Sequence, residues 1–433
     1  MLFSLLLILA IVFLYHPIFK YGFFQDDFLH LLNTQIPFSG LLKFFTDNSA
    51  IYYRPLGIQF TYWWQQQLFG PHPFVFHGFS FLIHILNAFL VRSIFFFITR
   101  NSRLANITSF LYATSAIHFV SLFWLAETNL LLGALLLFLN LNLYLSNQLF
   151  PTLIVFPIGL LTHEITVVFP LLALLLRRSP LRYWLSLSLI TAAYLLLRLI
   201  ILPIPITGTY TPQFHLGSLT TGVWYLLWSL NLPEILSAQF SLRPLGFFPQ
   251  FFTLPQLLLW LIAALAFILV ILSALKSRRY FWHGTSWFVI GLLPFIFLPL
   301  HQYPMYALVA LPGLLLVLAP SLPRRPLILA PLIILWMISS LVTLRFTESI
   351  HWTVQESNRV SQIFTKAKAT YPQLPPHSIL LVKPDYQIKE ALFDQLGFQF
   401  FYRDPTIKTD YDKACTIIES SDNHEPLRCY PLL

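Results

Sequence analysis

Acidic residues are nearly missing from most of this chain. Of its 17 Asp and Glu, 11 lie beyond Arg345, leaving only Asp26, Asp27, Asp47, Glu127, Glu164 and Glu234 in the first 345 residues. Charge of either sign is scarce: 10% of the 433 residues are Asp, Glu, Lys or Arg, against 57% apolar. A soluble domain carries about a quarter charged, so this composition excludes a soluble globular chain and reads as a polytopic membrane protein. Internal repeats, the mark of many membrane transporters, are not evident. Thirteen histidines are present, none at the spacing of a closed zinc site, so no histidine metal centre is expected. The net charge of +9 comes largely from the apolar part, where 17 Lys and Arg face those six acids. That excess is a membrane-topology signal and gives no reason to expect nucleic acid.

Apolar runs of about spanning length occur near 2–19, 75–98, 104–122, 128–146, 150–161 with 165–176, 183–202, 256–275, 284–300, 303–319 and 327–345, eleven in all. The first run lacks a basic flank and a small-residue cleavage site, which favours an uncleaved helix over a secretory signal. Under this count Arg100/Arg103, Arg177/Arg178/Arg182, Lys276/Arg278/Arg279 and Arg324/Arg325 share one face, which the positive-inside rule assigns to the cytoplasm. The N-terminus is then inside, the tail outside, and all six acids fall on the outer side. Residues 219–240, with Trp224, Tyr225, Trp228, Pro233 and Glu234, read as an interfacial or re-entrant helix. Carboxylates are costly in hydrocarbon, so six gathered at one water-facing end mark a site for ions, protons or catalysis.

Residues 1–345 thus form a transmembrane domain, and 346–433 a small soluble α/β appendage. In the latter, 377–382 reads as a buried strand, 386–397 as an amphipathic helix ended by Gly397, and 398–402 as a second strand. Both cysteines, Cys415 and Cys429, lie there. They are either a disulfide, worth about 3 kcal/mol on the chain-entropy model, or two thiols; spacing alone leaves both open.

The expected first outer loop, 20–74, contains "YGFFQDDFLHLLN" and "YYRPLGIQFTYWWQQQLFG", rich in the Tyr and Trp of a headgroup-level segment. Asp26 and Asp27 either cap the helix "DDFLHLL" or supply a base to an acceptor arriving from water.

The blocks "FFQDDFLHLLN", "YYRPL", "FGPHPFVFHGFSFLIHILNAFLV", "HFVSLFW", "LLTHEITVVFPLLALLL" and "LLPFIFLPLHQYPMYALVALPGLLLVL" occur in an order that resembles the multi-pass C-type glycosyltransferases. The likeness runs from about residue 20 to 345 and is nearest to the transmembrane O-mannosyltransferases that carry tetratricopeptide repeats, and to bacterial relatives without them. The resemblance implies an inverting enzyme moving a hexose, mannose in that family, from a polyprenyl-phosphate carrier. The acceptor hydroxyl, on a protein, glycolipid or glycan, would be met at the extracytoplasmic face of a cell membrane. It also implies roles. Asp26 matches the first acid of the family's pair and would be the base, with Asp27 beside it. Arg54 stands at the Arg of "YRPL", His118 and Trp124 at the second His and the Trp of "HPVHxEAVxW", and Glu164 at the Glu of "KE". The chain departs from the pattern at Ser115-Ala116, Val120, His163 (for the Lys of "KE") and His301-Gln302-Tyr303 (for "ERY"). These departures bear on the donor sugar and the phosphate ligands rather than on the reaction class.

Arg54 and Arg198 are candidates for the donor phosphate, because guanidinium offers a forked, permanently charged donor pair; for Arg198 simple snorkelling is the alternative. His163-Glu164 interrupts an apolar stretch, as a cavity lining or a polar turn. His301 and Tyr303 touch the donor head group or anchor a span. No cofactor is required; a divalent cation at Asp26/Asp27 is compatible with hard carboxylate oxygens, though two are few ligands. A flippase of lipid-linked sugar, or a polymerase or ligase of lipid-linked glycans, is the rival class.

Overall fold

The structure is a computed structural model that describes residues 2–46, 52–177, 179–201, 208–214, 217–237, 261, 264–265, 268–273, 275–382, 384–411 and 429–431. Its described part is almost wholly helical. Five helical stretches are long and apolar enough to cross a membrane: Leu2–Lys20, Pro73–Thr99, Leu125–Leu145, Leu181–Ile200 and Pro326–Ile350. Leu149–Leu160, Glu164–Leu176 and Leu311–Ser321 are shorter apolar helices. An all-α membrane protein is what this composition and length support.

Among the described residues five of the eleven expected runs are long apolar helices and others are shorter or broken, and the breaks have local causes. The run 104–122 splits into the helix Ser102–Ala113 and a bent segment through Ala116–His118 and Phe119–Phe123. Asn231 holds the break. Its Oδ1 accepts from Ala116 N (2.8 Å) and Ser115 Oγ (3.2 Å), while its Nδ2 donates to Ser339 Oγ (3.0 Å) and Ser340 Oγ (2.9 Å). One buried amide, satisfied on both ends, thereby fastens the bend to the Pro326–Ile350 helix. The expected span 284–300 is a helix over Arg278–Leu292 followed by turns containing Pro294 and Pro299. The run 303–319 is a 3₁₀ turn, Pro304–Ala307, leading into Leu311–Leu318. Between these last two helices Gly284 and Gly313 let the backbones touch: a Cβ at Gly284 would sit 2.6 Å from the Gly313 carbonyl. Residues 217–229 are helical, but the expected segment runs beyond the described residues, as does half of 256–275.

The last long helix continues to Ile350 and is broken at His351, whose Nδ1 caps the next helix, Trp352–Thr370, by accepting from Thr353 N. That helix begins the appendage, whose sheet has parallel strands β1 (Ile379–Leu381), β2 (Lys408–Asp410) and β3 (Cys429–Pro431) in the order β2-β1-β3. Ile379 is in register with both Lys408 and Cys429. The expected helix 386–397 stops after Ala391 because Phe393 and Asp394 take positive φ (49° and 59°). "FQFFY", expected as a strand, lies in a second helix, Leu396–Tyr402. Its aromatic rings pack on two sides: Phe398 and Phe401 against Phe364, and Phe400 against Phe23 and Phe28. Tertiary packing thus overrides the strand preference of aromatic residues. Cys415 lies outside the described residues, and with it the disulfide question.

The appendage rests on the segment that precedes Asp26. Phe23, Phe24 and Phe28 share one apolar cluster with Val360, Ile363, Leu392 and Phe398. Gly22 N donates to Ser357 Oγ (2.9 Å), Gln25 N to the Ala391 carbonyl (2.8 Å) and Tyr21 Oη to Glu348 (2.9 Å).

Candidate functional site

A cavity of about 730 Å³ opens beneath the appendage. It is lined by Asp26, Arg54, Trp124, Glu127, Glu164, Arg198, His301 and Tyr303, with Trp352 and Glu390 contributed by the appendage. Seven residues singled out from the sequence therefore meet in one space, although they are spread from position 26 to position 303.

Asp26 opens the helix Asp26–Asn33, one turn from His30, which also lines the cavity. Burial pushes its carboxyl up to about 6, helped by the negative charge of Glu390. The residue before it, Gln25, has φ 50°, an uncommon conformation for a side chain with a Cβ, and its N–H is held by the appendage. Asp27 does not reach the cavity. It is fully buried, accepting from Tyr62 Oη (2.7 Å), Phe24 N (3.1 Å) and Ala126 N, so its oxygens are committed to fixing the loop. Burial moves it to about 7, the hydrogen bonds opposing. Successive helix residues point about 100° apart, which is why the pair divides its work.

Arg54 is built in by its neighbours. Pro55 opens the π-helical segment Pro55–Phe60, Leu56 N donates to the Leu161 carbonyl (3.1 Å), and a Cβ on Gly57 would land on the Thr162 carbonyl. The guanidinium donates twice to Glu164 (Nε to Oε2 2.7 Å, Nη2 to Oε1 2.5 Å) and once to Asn129 Oδ1 (2.9 Å). Its planar fork is thus spent on protein. Burial works against its charge, but Glu164 outweighs that and holds the guanidinium protonated. The sequence made Arg54 a candidate for the phosphate; in the structure it is a strut that braces the cavity wall through Glu164 and Asn129. Arg198 lines the cavity with its guanidinium 6.0 Å from the Tyr53 ring centre.

His118 lies away from the cavity, fully buried, with Nε2 donating to the Tyr112 carbonyl (2.8 Å) and its ring 4.4 Å from that of His84. His163 is also fully buried; its Nδ1 accepts from Ile165 N (3.0 Å), capping the 3₁₀ turn that presents Glu164. Gly133 makes room for it, since a Cβ there would come 2.6 Å from that of His163. His301 bonds Tyr306 Oη through Nε2 (2.8 Å) and packs on Tyr210 (4.3 Å). Burial, with the charge of Arg54, lowers it to about 4, so it is neutral. Tyr303 meets the His301 ring edge-on (5.1 Å) and Trp124 meets Trp352 likewise (5.0 Å).

Glu127, Tyr52, Tyr210, Trp352 and Glu390 complete the lining and were not chosen from the sequence. Glu127 had a signal, as one of six acids; its Oε2 is buried without a hydrogen-bond partner among the described residues. Glu390 had none, because its helix reads as an ordinary amphipathic surface. Of the other acids, Glu234 faces His351 (3.3 Å) and Asp47 lies outside the described residues. Among the described residues no three His, Cys, Asp or Glu side chains are grouped to hold a metal ion. With Asp27 committed to Tyr62, Phe24 and Ala126, the Asp26/Asp27 pair does not present both carboxylates to one cation.

One stretch of the wall is apolar and faces outward. Leu195, Leu199 and Leu300 line the cavity yet are 41%, 65% and 60% exposed, whereas the side beneath the appendage offers Asp26 and Glu390. The cavity therefore has an oily flank and a polar roof.

No protein-family model and no curated protein sequence matches the chain.

Proposed function

We propose that the chain is an inverting glycosyltransferase that moves a hexose, mannose by resemblance, from a polyprenyl-phosphate carrier to a hydroxyl acceptor. The observation that carries this reading is the two-sided cavity. An apolar flank suits a donor that stays in the bilayer, and a polar roof suits an acceptor that arrives from water. In the full proposal the N-terminus is cytoplasmic, the chain crosses a cell membrane about eleven times counting broken helices, and the cavity and appendage are extracytoplasmic.

Asp26 accepts the acceptor's hydroxyl proton as that oxygen attacks the anomeric carbon. The carbon–oxygen bond to the phosphate breaks from the opposite face, and its electron pair returns to the phosphate, neutralised by Arg198. A carboxyl poised near 6 is ionised at neutral pH yet basic enough to share the proton. The aromatic rings of Trp124, Trp352 and Tyr210 offer stacking faces for sugar.

The test uses purified protein in nanodiscs and labelled polyprenyl-phosphate mannose, with a panel of other hexose donors. Asp26→Asn is expected to lower transfer or hydrolysis by about 10² to 10⁴-fold. Donors that bind without turnover, together with an unchanged Asp26→Asn, would sink the transferase and favour lipid translocation.

A further inference from the structure

Two helical stretches that leave the cavity, from Asn129 and from Val167, end at a second one, at Leu145 and Leu176. The helix Pro73–Thr99 is followed by Arg100, the helix Thr128–Leu145 by Asn147, and Phe169–Leu176 by Arg177; the helix Arg278–Leu292 carries Arg279 in its first turn and returns toward Pro294 and Phe295 in the first cavity. At 1.5 Å per residue the helical stretch from Asn129, in the first cavity, to Leu145, in the second, separates the two spaces by roughly 25 Å. The second cavity has a volume of about 300 Å³, and its polar lining is Arg100, Asn147, Arg177, Arg279, Tyr280 and His283.

Basic residues near helix ends are ordinary and need no ligand. Three features go beyond that. Arginines from three separate segments converge on one cavity rather than spreading along a face. No Asp or Glu lines it, and among the described residues none of the three arginines forms an ion pair. Arg177 is partly spent on the end of the helix Thr128–Leu145, donating to the Tyr144 carbonyl (3.3 Å), but among the described residues the guanidinium groups of Arg100 and Arg279 make no hydrogen bond to protein.

We propose that this cavity binds the phosphate of an anionic phospholipid head group. The ligand must be an anion, because uncompensated guanidinium groups gathered in a concave space repel one another until one arrives. It must be a lipid's, because the remaining wall is Phe97, Ile98, Leu145 and Leu176, beside Phe96 and Leu174 exposed on the outside of the same helices. An acyl chain can run there while its phosphate sits among the arginines. Basic pockets between transmembrane helices bind anionic head groups in this manner. The site does not depend on the transfer reading, since it lies at the other end of the molecule.

The full-length protein in detergent would be given phosphatidylglycerol, phosphatidylcholine or inorganic phosphate, and retained ligand read by native mass spectrometry. Phosphatidylglycerol should be held in preference to phosphatidylcholine. The double variant Arg100→Gln/Arg279→Gln should weaken it about thirtyfold, while Arg324→Gln/Arg325→Gln, two bases outside the cavity, should leave it nearly unchanged. Equal loss in both double variants, or none in either, would overturn the site. Displacement of phosphatidylglycerol by millimolar inorganic phosphate would overturn the lipid in favour of a soluble anion. An unchanged melting temperature in the variants shows that folding is not what was lost.

Discussion

At the end of the helices that carries Asp26, charges are wired to one another. Arg54 is forked onto Glu164 and braced by Asn129, and Asp27 accepts from three donors. At the opposite end, Arg100 and Arg279 face a cavity with no acid in its lining. The contrast separates two uses of charge near a membrane. A reaction centre needs its field fixed before the substrate arrives, so that little reorganisation remains at the moment of bond breaking. A head-group site needs the reverse, charges left open until the ligand closes the circuit.

The sharpest way to break this contrast is to cut the wiring. Arg54→Ala leaves Glu164 facing the cavity without its guanidinium. It should destabilise the protein by about 2 to 3 kcal/mol, below the figure for a fully buried pair because Glu164 is partly exposed. Thermal melting in nanodiscs would read this, and Arg54→Ala/Glu164→Ala should be milder than the two single losses added. If Arg54→Ala melted like the wild type, the strut would be decorative. Arg54→Lys tests the same point without removing charge: a single ammonium cannot reproduce the fork, so only part of the loss should be recovered.

Gly57→Ala attacks the strut from behind. With the Thr162 carbonyl where a Cβ must go, the segment carrying Arg54 has to shift, at a cost of about 1 to 2 kcal/mol. Donor turnover should fall with it, because Glu164 and Arg54 move together. A silent Gly57→Ala would show that this wall yields freely.

The mildest test tunes the base. Protonating Asp26 removes it as a base, so kcat/KM should fall as pH drops through about 6. Glu390 raises that value by its negative charge. Glu390→Gln should therefore move the acid limb to lower pH, by a small amount because burial, the larger cause, is untouched. A limb that stayed in place would separate Glu390 from Asp26 electrostatically; one that moved upward would contradict the assigned base.

Much of the site could be read from the chain because membrane segments make polar residues conspicuous. Asp26, Arg54, Trp124, Glu164, Arg198, His301 and Tyr303 stand out against their apolar neighbours, and all line one cavity. The direction of each side chain was not legible. Asp27, His118 and His163 are as polar as the others, yet each turns inward to satisfy backbone or hydroxyl groups. Helix continuity was not legible where polar residues such as Asn231 stabilise a bend that hydropathy does not register. In the appendage, "FQFFY" has strand composition, but its rings are needed on several sides, which a helix supplies and a strand does not. Glu390 and Trp352 were invisible because their importance arises only where two distant stretches of chain meet.

That meeting sets an order of events during synthesis. A ribosome that has made residue 300 has released most of the membrane helices, and Gln25 with them, but not Ala391. Until the appendage follows and folds, the N–H of Gln25 lacks the carbonyl that holds it at φ 50°, and the shoulder before Asp26 is free to relax. On the reading proposed above, the half-made protein is thus a disarmed one: the shoulder that sets Asp26 in place is fixed only once the chain has been made as far as Ala391.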